Sequence, residues 1–206
     1  MSSIHFIPRR HSGFTVIEAL VSLVIIMFGL LGLAGLQTRM QQAEFESYQR
    51  SQALILLYDM VDRINTNRAT VPCFVVTTDL VAGANYLGAG AAAPTPCGYS
   101  TTENNAIADI AIAEWDNLLK GSAETKGVNQ VGAMISARGC ISYNSATELP
   151  DAAGAPIAGT GIFTVAVAWQ GTSETIAPTV ACANNLYGTE LRRRVVSETL
   201  RLANLK

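Results

Sequence analysis

Histidine is almost missing from these 206 residues. Both copies, His5 and His11, fall in the first eleven positions, so nothing further along can form a Ser-His-Asp or Cys-His arrangement or a His-ligated metal site. Charge is sparse as well, at 15% of residues with a net of −2, and no basic stretch of the kind that binds nucleic acid stands out. The four cysteines are too far apart for a CxxC redox or zinc pattern. Walker, EF-hand and dinucleotide fingerprints are absent, and the glycine-rich tract at 83–90 lacks a following Lys-Ser or Lys-Thr. No close pair of carboxylates presents itself for acid–base work. The expectation is a chain with no catalytic residue, no metal, no cofactor and no direct nucleic-acid binding.

What the chain has instead is a long apolar run. From Phe14 to Leu36 there is one charged side chain, Glu18, among mostly Val, Ile, Leu, Phe, Met, Ala and Gly. A helix over this span is about 34 Å long, enough to cross the hydrocarbon core of a bilayer. The run also exceeds the roughly 7–15-residue core of a secretory signal peptide. An ionised carboxylate in that medium costs on the order of 3 kcal/mol, so Glu18 calls for a partner. Arg9 and Arg10 flank the run on its N-terminal side, which directs that end to the cytoplasm and everything after Arg39 to the far side.

The junction Arg9-Arg10-His11-Ser12-Gly13-Phe14-Thr15-Val16-Ile17-Glu18 resembles the leader of type IV prepilins and type II secretion pseudopilins. That resemblance implies cleavage after Gly13 by a membrane-embedded prepilin peptidase and N-methylation of Phe14. It also implies that Glu18, fifth in the mature chain, neutralises the terminal amine of a neighbouring subunit during filament assembly. Loss of residues 1–13 would remove both histidines and two arginines, leaving 12 basic against 16 acidic side chains. The plainer reading of the same segment is a signal anchor whose glutamate faces another helix.

Beyond the span all four cysteines, Cys73, Cys97, Cys140 and Cys182, would lie in an oxidising compartment, and an even number there argues for two disulfides. Four cysteines allow three pairings, of which sequence proximity favours Cys73–Cys97 with Cys140–Cys182.

No proline or glycine occurs between Leu36 and Val71, so the helix should continue past the membrane to about Asn67, roughly 80 Å in all. Ala53, Leu54, Leu57, Met60, Val61 and Ile64 recur by threes and fours, giving this half one apolar face that needs a cover. Gly29, Gly32 and Gly35 on the membrane half suit close helix packing or a point of unwinding. Residues 70–106 read as loop with short strands, stapled if Cys73 and Cys97 pair, and Thr102 to Lys120 as a helix stopped by Gly121. On that helix Ile107, Ile110, Ala111 and Trp115 or Leu118 are placed inward, Trp115 as core. Strands are expected over 133–143, over 162–170 with Phe163, Val165, Val167 and Trp169 on one face, and over 190–202. The run Arg192-Arg193-Arg194 reads as a charged edge strand, with an intersubunit salt bridge as the alternative.

The fold class is therefore α+β: a long N-terminal helix, half membrane and half amphipathic, packed on a C-terminal antiparallel sheet. Its parts are 1–13, the leader; 14–36, the transmembrane or filament-core half of the helix; 37–68, the amphipathic half; and 69–206, a periplasmic globular domain with disulfides. Residues 29–37, 59–68, 139–141, 165–171 and 192–196 resemble PilV-type minor pilins of type IV pili, the first two blocks most specifically. Gly35 departs from major pilins, which often carry a proline there. The resemblance implies a pilin-like fold and a low-abundance subunit, first anchored by a single span in the inner membrane, later in the filament. Its partners would be the prepilin peptidase and other minor and major pilins, which it would join to prime pilus assembly, with motility, adhesion and DNA uptake following from the pilus. A type II secretion pseudopilin and a membrane-anchored periplasmic enzyme are the rival readings.

Overall fold

The computed structural model describes residues 13–202 apart from 128, 131 and 133. The leader expectation for residues 1–12 lies outside the described residues. The chain divides into two compact units, one ending at Glu44 and one beginning at Phe45. Helix α1, Val16–Thr66, runs through that division as one element of 51 residues. The expected helix began two residues earlier and ended one later.

In the second unit α1 buries Gln49, Ala53, Leu56, Leu57, Met60 and Ile64, a stripe at helical spacing. Leu54 and Val61, expected in the same stripe, are half-buried at its margin. The helix ends where the Asn67 N–H and side-chain amide both donate to the Arg63 carbonyl (3.1 and 2.8 Å). A 3-10 segment, Arg68–Phe74, follows and delivers Cys73 to its disulfide with Cys97.

Helix α2, Thr102–Leu119, starts at Thr101, whose hydroxyl accepts the Asn104 N–H (3.3 Å), and stops before Gly121, which takes the left-handed conformation at φ +93°. Its buried stripe is Ala108, Ala111, Ile112, Trp115, Asp116 and Leu119. Ala111 and Trp115 are inward as expected, but Ile107 and Ile110 are 52% and 59% exposed, which corrects the expected face at those two positions. Two anchors set the rotation. The Trp115 indole donates to the Leu56 carbonyl of α1 (2.8 Å), and Asp116 Oδ1 accepts the Gly88 N–H (2.7 Å). Ala108 and Ala111 fall on the buried side that these anchors select.

Four strands form the main antiparallel sheet in the order β1, β4, β5, β6: β1 is Leu87–Gly88, β4 Arg138–Asn144, β5 Ile162–Gln170 and β6 Arg193–Arg201. A separate hairpin pairs β2, Thr125–Lys126, with β3, Asn129–Gln130. β5 has the expected bounds and sits between β4 and β6, with Val165 opposite both Ile141 and Glu198. The strand expected from residue 133 begins at Arg138 instead. Ala133 lies outside the described residues, and Ser136 adopts φ +52°, which no extended chain accommodates. Likewise 190–192 is a 3-10 turn capped by the Thr189 hydroxyl, and β6 starts after it.

The sheet carries a core on each face. In front, Ile141, Phe163, Val165, Val167 and Trp169 meet Leu57, Met60 and Ile64 of α1 and Trp115 of α2. Gly139 is required there: a Cβ at that position would collide with the Trp115 ring. Behind, Cys140, Ala166 and Ala168 are covered by Cys182, Ala183 and Tyr187 from the segment before β6. The Cys140–Cys182 disulfide (Cα–Cα 5.7 Å) fastens that segment to the sheet. The two pairs nearest in sequence are thus the two bonds of the structure.

Candidate functional site

Gly13, Phe14 and Thr15 precede α1 without regular structure, and Phe14 is 71% exposed. The peptide bond after Gly13 therefore lies in irregular, exposed backbone. Thr15 ends this segment by capping: its carbonyl accepts the Glu18 and Ala19 N–H groups (3.1 and 3.2 Å), and its hydroxyl the Glu18 N–H (3.4 Å). Thr15-Val16-Ile17-Glu18 has the spacing of a capping box, in which the glutamate would reach back to the Thr15 N–H. The sequence reading passed over that spacing. No such return bond forms, and the exposed Glu18 side chain has no partner among the described residues.

The helix beyond is long and apolar enough to cross a membrane. None of its most apolar stretch is buried. Ile17, Leu20, Leu23, Ile25, Phe28 and Leu31 are all more than half exposed. Such a surface is stable only against lipid or other apolar helices. Gly29, Gly32 and Gly35 lie inside unbroken α1 with open space where each Cβ would be, so no contact among the described residues requires a glycine there.

The second unit holds a polar constellation that the sequence reading missed. Glu46 Oε1 accepts from the Thr172 hydroxyl (2.8 Å) and from the Ser173 hydroxyl and N–H (3.0 and 3.3 Å), with Arg194 Nη2 at 3.4 Å. Burial pushes the Glu46 carboxyl up, but the Thr172 and Ser173 hydrogen bonds and the Arg194 charge outweigh it, and the net effect is a lowered pKa. The signal was half visible, because Arg194 belongs to the arginine run.

That run lies at the start of an edge strand, yet only in part as a charged edge. Arg193 is 2% exposed: Nε donates to Glu190 (2.6 Å), Nη1 to the Val180 carbonyl (2.7 Å) and Nη2 to the Pro178 carbonyl (3.1 Å). Arg194 also reaches the Ser173 carbonyl (2.8 Å), and Arg192 lies 3.8 Å from Glu174. All three find partners within their own chain because the 172–191 segment folds back over the strand, so no intersubunit bridge is needed to satisfy them. Among the described residues no cluster of metal-ligating side chains forms.

Comparison with known families matches residues 8–34 to the prokaryotic N-terminal methylation motif. No curated protein and no solved structure gives a significant match. The matched stretch holds Arg9, Arg10, Gly13, Phe14, Glu18 and nearly all of the apolar run. A prepilin-type leader, an apolar helix fit for membrane anchoring and a following four-stranded antiparallel sheet support a type IV pilin-like protein.

Proposed function

We propose that the chain is a minor pilin subunit of a type IV pilus that helps to prime assembly, at or near the filament tip. The observation that carries this reading is Glu18. It is the one charge in the uncovered apolar stretch 14–36, makes no capping bond back to Thr15, and has no partner among the described residues. An ionised carboxylate so placed is costly in a membrane unless a cation answers it, and the amine of a neighbouring processed subunit is such a cation.

In this reading the prepilin peptidase cuts after Gly13 and Phe14 becomes the methylated N-terminus. Residues 14–36 then span the inner membrane and afterwards enter the filament core. Residues 37–68 form the amphipathic half of the helix, and 69–206 the periplasmic domain. Arg9 and Arg10 on the N-terminal side favour that orientation, and two disulfides suit an oxidising compartment. The chain acts as a structural subunit, with other minor and major pilins as its partners.

Glu18→Ala should leave leader removal and membrane insertion intact while excluding the protein from sheared pili. Normal incorporation of that variant would overturn the reading. Pseudopilins of type II secretion carry the same leader; loss of exported enzymes with pili unaffected in a deletion strain would assign the chain to them.

A further inference from the structure

The arginines that should guard the outer edge of β6 are engaged elsewhere. Gly171 donates to the Arg192 carbonyl, so in this register the even-numbered residues of β6 bond to β5 and the odd-numbered ones face away. The Arg193 N–H closes on the Glu190 carbonyl of the preceding turn. Beyond it, the N–H groups and carbonyls of Val195, Ser197 and Thr199 have no partner among the described residues.

Proteins blunt such an edge with prolines, bulges, short strands or charge. β6 has nine residues in unbroken register with β5 and no proline. Arg193 is buried, Arg194 holds Glu46 and the Ser173 carbonyl, and Arg201 donates to the Thr147 and Thr160 carbonyls (2.8 and 2.7 Å). Glu198 is the one charge between Arg194 and Arg201. Alongside the edge, on the front, a cleft of about 380 Å³ is lined by Arg50 of α1 and by Trp169, Arg194 and Val196. Glu46 answers Arg194, whereas Arg50 is exposed and joins no ion pair among the described residues. A strand added to the edge sets alternate side chains on this front side, next to Val196.

We propose that the outer edge of β6 takes an extended segment of another protein as a fifth strand, with a glutamate of that segment in the cleft against Arg50. Main-chain bonds to Val195, Ser197 and Thr199 hold the segment, and the free guanidinium selects the acid. A second copy of the chain does not fit. Antiparallel β6–β6 pairing turns one sheet about its normal and reverses α1, whereas two copies held by their N-terminal spans in one membrane keep α1 in one sense. In the parallel sense a two-fold sets each outward residue against its own twin, where the slanted bonds of a parallel pair do not form. The antiparallel exclusion rests on the membrane reading of α1; the open edge does not.

The test uses the full chain in detergent micelles, labelled at backbone nitrogen, with the capped peptide Thr-Val-Thr-Glu-Thr-Val-Thr, which reads the same in both directions. The Val195, Ser197 and Thr199 N–H groups should exchange fast in the free chain and at least about tenfold more slowly with peptide, while those of Val196 and Glu198 stay unchanged. The same peptide N-methylated at its threonines keeps the side chains, loses those donors and should not bind. Arg50→Gln should weaken binding about fivefold, and should not affect binding of the peptide with Gln in place of Glu. Slow exchange at the three positions in the free chain, no protection by saturating peptide, equal binding of the N-methylated form, or an Arg50→Gln variant that treats both peptides alike overturns the proposal. So does protection that grows with protein concentration in the absence of peptide, which assigns the edge to a second copy.

Discussion

The two faces of the sheet are built on opposite principles. The front is packed by large side chains from two helices, and its specificity lies in shape, as Trp115 filling the space above Gly139 shows. The rear has mostly Ala and Cys to offer, and what covers it is an irregular segment, 172–191, with no long apolar stripe. That segment is held by directed bonds instead: one disulfide, the Arg193 guanidinium on its carbonyls, and backbone links from Ala183 and Asn184 to the 82–83 turn (2.9 and 3.1 Å). Where a helix supplies area the fold relies on burial; where only a loop is available it relies on covalent and polar ties.

Breaking the front should cost most. Trp115→Ala removes the ring above Gly139 and the bond to Leu56, and should destabilise the whole domain by roughly 3–5 kcal/mol in urea unfolding. A loss below about 1 kcal/mol would mean that the front core does not depend on this residue. On the rear, the double variant Cys140→Ala, Cys182→Ala opens a loop with a sequence separation of 42 and should cost about 2–4 kcal/mol. Hydrogen exchange in that variant should rise in 172–191 before it rises in β5, whereas the Trp115 variant should raise both together.

Arg193→Met keeps the volume but drops every bond to 178–182, and should cost about 2 kcal/mol with the disulfide intact. If its effect simply adds to that of the double cysteine variant, clamp and staple act independently; a sub-additive pair would show one device. The smallest effect belongs to Glu46→Gln, about 1 kcal/mol or less at neutral pH, because the site is part-exposed. A lowered carboxyl pKa stabilises the fold above the usual glutamate range and loses that contribution as pH falls through the lowered value. Wild type and Glu46→Gln should therefore differ at pH 7 and converge in acid; a constant gap would show that the charge is irrelevant.

Much of this was legible in the residues. β5 could be bounded because Phe163, Val165, Val167 and Trp169 alternate with small residues, and α1 because nothing interrupts it before Pro72. The leader motif and Glu18 stand in plain order in the sequence. The inward face of α2 did not, since Ile107 and Ile110 obey the same periodicity as Ala108, Ala111 and Ile112; the glycine gap and the helix carbonyl that select between them are 24 residues downstream and 59 upstream of Trp115. Arg193 looked like its neighbours for a similar reason. Its partners are backbone carbonyls, which every residue has, so no pattern announces them.

The two disulfides join the first cysteine to the second and the third to the fourth. If the domain leaves the membrane in sequence order behind a retained N-terminus, as proposed, Cys97 meets Cys73 before any rival thiol has emerged, and Cys182 meets Cys140 after the first pair is spent. An oxidant with no means of proofreading is enough to reach this connectivity, and the order of arrival does the sorting that a crossed or nested pattern would leave to an isomerase.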